Sequence, residues 1–323
     1  MKLIKPSYNI IEQECGLNGI YKQIELAGRT CYKSEDKITE DSAKEFVDRM
    51  IKSKHNAMLE HGTVYLGIPA DRVHNNKEVS EVVSLLISMH VWTRWYEIVR
   101  EDKPYLIIVT NFRVIVENNL QEFMKRWWYV PTSEEAKARI TVRFTIDRGV
   151  SHEAVRHKVM SFAQESTRYC NYMKDKFGAS VTFIQPSWIK PEDQEEFEED
   201  VKLFEDLYFK WLNKGYVAQE ARYFLPTGVK TELIITAFAD DWQHFFDLRA
   251  LGTTGAPHPD MKEVAEKYTE GSISKWEMDS LSFYYHDHEL EKLRKDIYEI
   301  DDYFSLPDEP EIERSFSGKD NST

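Results

Sequence analysis

The densest run of polar side chains in the chain is Arg156-His157-Lys158-Val159-Met160-Ser161-Phe162-Ala163-Gln164-Glu165-Ser166-Thr167-Arg168-Tyr169. Three consecutive basic residues close a predicted short helix, and another arginine follows a Ser/Thr pair further on. Ser166, Thr167 and Arg168 can surround a phosphate with hydroxyl donors, backbone N–H groups and a bidentate fork. Gln164 carries an amide donor and an acceptor, which suits the polar edge of a planar heterocycle. In an arbitrary protein an R-H-K triplet is usually a solvated basic turn. Here Val159, Met160, Phe162 and Tyr169 are interleaved with the polar residues, so the segment is expected to thread through the protein.

Absences narrow the chemistry. No two glycines stand at GxG spacing and no GxxxxGK[ST] occurs, so side-chain cations must meet any phosphate. HExxH and GxSxG are also missing. His55 with His61, or His286 with His288, falls short of the three or four convergent ligands of a metal site. Cys15, Cys31 and Cys170 are an odd number without CxxC spacing, which indicates neither a disulfide framework nor a zinc ribbon. The net charge of the 323-residue chain is -14, so it lacks the broad positive field that a nucleic-acid polymer requires. No apolar run approaches the ~20 residues of a membrane span, and the N-terminus lacks the apolar core of a signal peptide. A soluble cytoplasmic protein is expected.

The elements that must position the segment follow from periodicity. A helix is predicted after Asp41, with Ala43, Phe46, Val47, Met50 and Ile51 at helical spacing. Thr63 to Ile68, Tyr105 to Thr110, Ile140 to Ile146 and Thr231 to Phe238 read as strands. Asp147-Arg148-Gly149 ends the third of these, and a short helix is expected from Ser151. Val79 to Met89, Glu192 to Leu212 and Val217 to Phe224 read as helices, and Asp240 as the cap of a helix through Ala250. A further helix is expected to start at Met261. Strands and helices mix without a βαβ rhythm, which predicts an α+β fold. The tail from Asp301, acidic and carrying Pro307 and Pro310, is expected to be disordered.

Taken together, these segments resemble the flavin-dependent thymidylate synthases. That family's signature is R-H-R, seven residues, then Ser; here it reads Arg156-His157-Lys158, seven residues, then Ser166-Thr167-Arg168-Tyr169. Other stretches agree in the same order: Ala27-Gly28-Arg29-Thr30-Cys31-Tyr32, His55-Asn56-Ala57-Met58-Leu59-Glu60-His61 and Ser151-His152-Glu153-Ala154-Val155 before the signature. Glu220-Ala221-Arg222-Tyr223-Phe224-Leu225-Pro226 and Phe245-Phe246-Asp247-Leu248-Arg249 follow it. The resemblance covers about residues 26 to 265. It implies one catalytic domain over 1–300, a mixed or antiparallel sheet packed with helices, and an insertion at about 71–138.

It also implies an activity. FAD reduced by NADPH would supply hydride, methylene-tetrahydrofolate one carbon, and dUMP would become dTMP in a homotetramer with shared sites. By position, dUMP would be held by Glu153, Arg156, Gln164, Glu165, Ser166, Thr167, Arg168, Arg222 and Arg249. Arg249 would also stabilise the ionised pyrimidine. FAD would meet His55, Arg156, His157, Lys158, Gln164 and His244. Lys158 stands where the family usually has arginine, so a bidentate contact becomes a point charge. Ala57, Phe238 and Asp240 stand where hydroxyl, polar or basic flavin contacts are usual. No cysteine has the Pro and His neighbours of the thiolate-dependent thymidylate synthases, so no cysteine nucleophile is expected. The rival expectation is a non-catalytic nucleotide- or RNA-binding protein gripping phosphate with Arg156 to Arg168.

Overall fold

A short extended strand, β1 (Lys2–Ile4), and β2 (Ser7–Ile11) precede the first helix, α1 (Gly16–Tyr32). The computed structural model describes residues 1–262 except 134, 251 and 254, together with 312–314 and 320–322. The chain divides into two units, Met1–Tyr268 and Thr269–Thr323. In the second, Ile312–Arg314 pairs antiparallel with Asp320–Ser322. The rest of the tail predicted to be disordered lies outside the described residues, as do His286, His288 and most of the helix expected from Met261.

α1 is a helix that periodicity alone did not single out. Ile20, Ile24 and Ala27 form its buried stripe, and Lys33 ends it in the left-handed region, φ 47°, with its N–H on Arg29 and Thr30 carbonyls. α2 (Ser42–Lys52) follows. Asp41 stands at its cap position without a side-chain bond. Ser42 instead takes the local contacts, its Oγ accepting from the Thr39 N–H and donating to Glu25. A 3-10 segment, Asn56–His61, then leads into β3 (Thr63–Pro69).

Residues 71–138 are more than a decoration on this frame. After α3 (Ala70–Asn75) and α4 (Lys77–Ser88), the chain forms a hairpin of β4 (Arg94–Arg100) and β5 (Lys103–Asn111). Glu101 and Asp102 link the two strands with φ 49° and 59°, the left-handed pair that a two-residue hairpin turn requires. The hairpin adds to β3 to give an antiparallel sheet ordered β3-β5-β4. α5 (Phe112–Glu117) and α6 (Gln121–Arg126) close the segment. Val79, Val83, Leu86, Ile108, Ile115 and Met124 share one buried core with Ile20 and Ile24 of α1 and Val47 of α2.

The site is built on a second antiparallel sheet. β6 (Arg139–Asp147) runs into α7 (Arg148–Ala154), and Asp147 caps that helix by accepting from the Val150 N–H at 2.8 Å. The helix therefore starts three residues before the expected Ser151. β7 (Ser161–Gln164) lies inside the signature segment. β8 (Thr182–Ile184) pairs parallel with β1, and α8 (Gln194–Asn213) packs Val201 and Tyr208 inward. α9 (Ala218–Ala221) and a 3-10 turn through Phe224 lead to β9 (Lys230–Phe238), followed by α10 (Ala239–Arg249). The order β2-β6-β9-β7 puts β9 between β6 and β7. Two polar ties join this sheet to β3 and its lead-in: the buried Arg139 donates to Thr63 and Ser161, and His61 Nδ1 lies 2.8 Å from Thr236 Oγ1. An α+β fold with antiparallel sheets and helices is what the sequence predicted.

Gly28 tests the α1–α2 contact. A Cβ there would fall 2.4 Å from the Phe46 ring, which is buried and flanked by the Arg29 and Arg49 guanidiniums at 5.2 and 5.6 Å. Alanine is worth about 1 kcal/mol over glycine in a helix, whereas overpacking costs about 1–3 kcal/mol. So short an approach puts the overpacking at the upper end of that range, a net cost of about 1–2 kcal/mol, and Gly28→Ala is therefore expected to lower the melting temperature by roughly 1–3 °C. An unchanged or raised value would contradict this close packing.

Candidate active site

Arg249, at the last turn of α10, meets two residues contributed by α7 and the loop after it. Its Nη1 lies 2.9 Å from Glu153 Oε2, its Nη2 donates to the Glu153 carbonyl at 3.0 Å, and its Nε donates to His157 Nε2 at 3.2 Å. Three of the five guanidinium donors are used, and two remain unused among the described residues. His157 is buried, with Phe245 and His244 rings 4.9 and 5.7 Å from its own. Burial, and then the charge of Arg249, hold its pKa down at about 4. The imidazole is therefore neutral at physiological pH and can accept at Nε2. Arg156 and Lys158, on either side, are exposed, and their side chains make no hydrogen bond or ion pair among the described residues. The middle residue of the triplet is thus built in, and its neighbours are free cations.

A second group forms where β7 ends. The Glu165 N–H donates to the Glu232 carbonyl at 2.8 Å, and the Ser166 N–H to the Cys31 carbonyl at the end of α1 at 2.9 Å. Glu165 is buried, and its carboxylate is taken by Lys230 at 2.8 Å and the Tyr172 hydroxyl at 3.3 Å. Lys230 also pairs with Glu232, which Lys33 holds from α1, again at 2.8 Å. The two lysines pull the Glu232 carboxyl down to about 2 against the opposing effect of burial. On this anchored base, Arg222 donates to Thr167 Oγ1 at 3.3 Å, Arg168 Nε to Gln219 Oε1 at 3.1 Å, and the Arg168 N–H to Ser166 Oγ at 3.3 Å. The arrangement offers hydroxyls, backbone donors and guanidiniums to an anion.

The structure thus brings together Glu153, His157, His244 and Arg249 in one group, and Glu165, Ser166, Thr167, Arg168 and Arg222 in the other. Gln164 turns inward and donates to Ser151 Oγ at 2.7 Å. No hydrogen bond or ring contact among the described residues joins His55 to the basic triplet; it is exposed at the start of the Asn56–His61 turn. Glu60 of that turn pairs with Arg113 at 2.6 Å. Phe238 and Asp240 are engaged within the chain. The Arg94 guanidinium sits 4.4 Å over the Phe238 ring and pairs with Asp240 at 2.9 Å and Asp241 at 3.2 Å. Burial pushes the Cys31 and Cys170 thiols up to about 11 and about 12, which leaves both protonated. No group of three or more His, Cys, Asp and Glu among the described residues is placed to hold a metal.

Arg148 was missed as a site residue. The sequence marked it only as part of a strand terminator, yet its Nη1 donates to the Glu165 carbonyl at 3.2 Å and lies 3.4 Å from Thr231 Oγ1. The available signal was an arginine directly after a strand-ending, helix-capping aspartate.

Comparison with known proteins bears on this geometry. A profile described as thymidylate synthase complementing protein matches residues 102–276, just over half of the chain. A flavin-dependent thymidylate synthase of Pyrococcus furiosus is 32% identical over 148 residues, which are 43% of this chain and 58% of the relative. One of Geobacter sulfurreducens is 33% identical over 106 residues, covering 32% and 44%. The chain spans about half the length of the curated relatives it matches. Among solved structures, a UMP/dUMP methylase from Streptomyces cacaoi bound with 5-Br dUMP aligns over 86% of this chain and 92% of its own. That alignment has 14% identity and a TM-score of 0.38. The matched segment contains the signature, Glu153, Arg222 and Arg249, and the chain belongs to the thymidylate synthase complementing protein family.

Proposed function

We propose that the protein is a flavin-dependent thymidylate synthase that methylates dUMP reductively, taking the carbon from methylene-tetrahydrofolate. The observation that carries this reading is Arg249, fixed by Glu153 and by a neutral His157 with two donors still free. A guanidinium held in this way does not have to reorganise when negative charge develops on a pyrimidine beside it, and that preorganisation is the source of electrostatic catalysis. Stabilising the ionised pyrimidine makes its C5 more nucleophilic, so no cysteine nucleophile is needed. The raised thiols of Cys31 and Cys170 are in keeping with this.

Ser166, Thr167, Arg168 and Arg222 hold the phosphate of dUMP in this proposal, with Glu153 and Arg156 beside the nucleoside. Glu165 and Gln164 act from behind, since their side chains are engaged by Lys230, Tyr172 and Ser151. The residues fit an FAD site as well. A dinucleotide brings a doubly charged pyrophosphate, and Arg156 and Lys158 are two exposed cations with no counter-ion among the described residues. His55, His157 and His244 complete that set. When bound, FAD reduced by NADPH supplies the hydride. The chain's task there is to orient the cofactor and neutralise its phosphates. We place the protein in the cytoplasm as a homotetramer whose subunits share sites.

Three outcomes test this reading. The purified protein should be yellow, absorbing near ~450 nm, and should oxidise NADPH faster when dUMP is added. A colourless preparation that FAD cannot reconstitute would overturn it in favour of a non-catalytic nucleotide binder. Arg249→Gln should lower dTMP formation by roughly 10²–10³ with flavin retained. The same variant should raise the His157 titration midpoint, followed by ring NMR, from about 4 toward its ordinary 6.5, because the larger of the two charges that depress it, alongside burial, is gone. Between pH 6.5 and about 4 the unfolded chain protonates His157 and the folded one does not. Stability is therefore lost as the pH is lowered from 6.5 to about 4 in the parent, and less steeply in the variant. Ser166→Ala should raise the KM for dUMP roughly tenfold with turnover at saturation retained; a collapse of saturated turnover would contradict a binding role.

A further inference from the structure

We propose that Arg148 is a further determinant of anion binding: its guanidinium braces the Glu165–Thr167 segment from the sheet side and lends a positive charge to the phosphate held there. The argument rests on the dUMP reading for the identity of the ligand but not for its charge.

Charges around this segment are sorted into two layers. Behind it, the carboxylates are matched by lysines: Glu165 by Lys230, Glu232 by Lys230 and Lys33, and Glu35 by Lys33 at 3.0 Å. Around the same segment stand three guanidiniums, Arg148 on the sheet side together with Arg168 and Arg222. None of them forms an ion pair among the described residues, whereas Arg29, Arg94 and Arg113 elsewhere in the fold each have a carboxylate. Arg148 spends Nη1 on the neutral Glu165 carbonyl and Thr231 hydroxyl. Arg222 uses a neutral threonine hydroxyl and Arg168 a neutral amide. Both Arg148 and Arg222 bond the same short segment, so neither can move far from the other.

Gathering guanidiniums that form no direct ion pair around one segment raises the energy of the empty site. Burial is the main influence pressing the Arg148 pKa downward; Arg222 adds to it, while the nearby Tyr172 and Glu165 oppose it. The Asp147 cap and the Arg148 N–H on the Thr227 carbonyl at 2.8 Å nevertheless fix its backbone. A bound phosphate relieves the repulsion, whereas a neutral nucleoside does not. Arg148 is thus expected to weight recognition toward the phosphorylated form.

The test is calorimetric binding of inorganic phosphate, dUMP and deoxyuridine to the parent, Arg148→Gln and Arg148→Lys proteins, with melting temperatures recorded for all three. Glutamine keeps a donor for the Glu165 carbonyl and removes the charge; lysine keeps the charge. Arg148→Gln should weaken phosphate and dUMP about tenfold and leave deoxyuridine within twofold. Arg148→Lys should stay within threefold of the parent for every ligand. Equal losses for dUMP and deoxyuridine, or a glutamine variant that binds phosphate like the parent, would overturn the assignment. Should the glutamine variant not fold, a folded lysine variant that loses tenfold would also overturn it. If phosphate binding depends on Arg148 while dUMP binds none of the proteins, the anion site stands and the thymidylate reading falls.

Discussion

The ladder that β9 makes with β6 on one side and β7 on the other is the constraint on which the rest of the site depends. Register places Lys230 opposite Asp147 and Phe238 opposite Arg139, so one strand spans both ends of the site. At its first end it delivers Lys230 and Glu232 to the base of the Glu165–Arg168 segment. At its last end it releases the chain into α10, which carries His244 and Arg249. Pairing with β7 fixes Gln164 opposite Leu233, and from there the backbone of Glu165 and Ser166 has its donors committed to β9 and α1. A one-residue slip in this ladder would reverse the facing of every side chain on it.

Buried charge is handled differently at the two groups. Around Arg249 a carboxylate and a neutral imidazole share one guanidinium, and the histidine stays uncharged because protonating it would set two cations together inside the protein. Around Glu165 the buried acid is neutralised by a lysine that itself bridges to a second acid, which a second lysine also holds, so neither buried carboxylate lacks a cation. The first arrangement keeps donors available and the second consumes them. Both follow from the same cost of desolvating charge.

Much of this was legible in the sequence because strong signals coincided with local structure. The strands Ile140 to Ile146 and Thr231 to Phe238 and the helix around Phe46 and Val47 show in periodicity, and the signature segment shows in its polar density. The less visible parts have physical reasons. β4 carries Trp95 and Val99 on its exposed face, so its alternation is hidden, and its turn uses Glu101 and Asp102 instead of the Asn or Gly that such backbone angles favour. α1 begins at Gly16 without a side-chain cap, and its start signal is weak. Asp240 looked like a helix cap but is drawn away by Arg94, a partner 146 residues distant. Arg148 was invisible because its role depends on where β7 returns, which no local pattern encodes.

The Arg94 contact changes what residues 71–138 mean for the protein. Asp241, half-buried beside Asp240, has its carboxyl pushed up to about 6, and Arg94 is the leading influence pulling it back. The hairpin is therefore the counterweight to two acids at the start of the helix that bears Arg249. A shortened chain lacking the hairpin would leave those acids facing each other with their principal cation gone, and the Phe238 ring uncovered. Trimming this region to a compact loop is thus an electrostatic operation on α10, and any minimised version of the fold has to rewrite positions 240 and 241 together with the deletion.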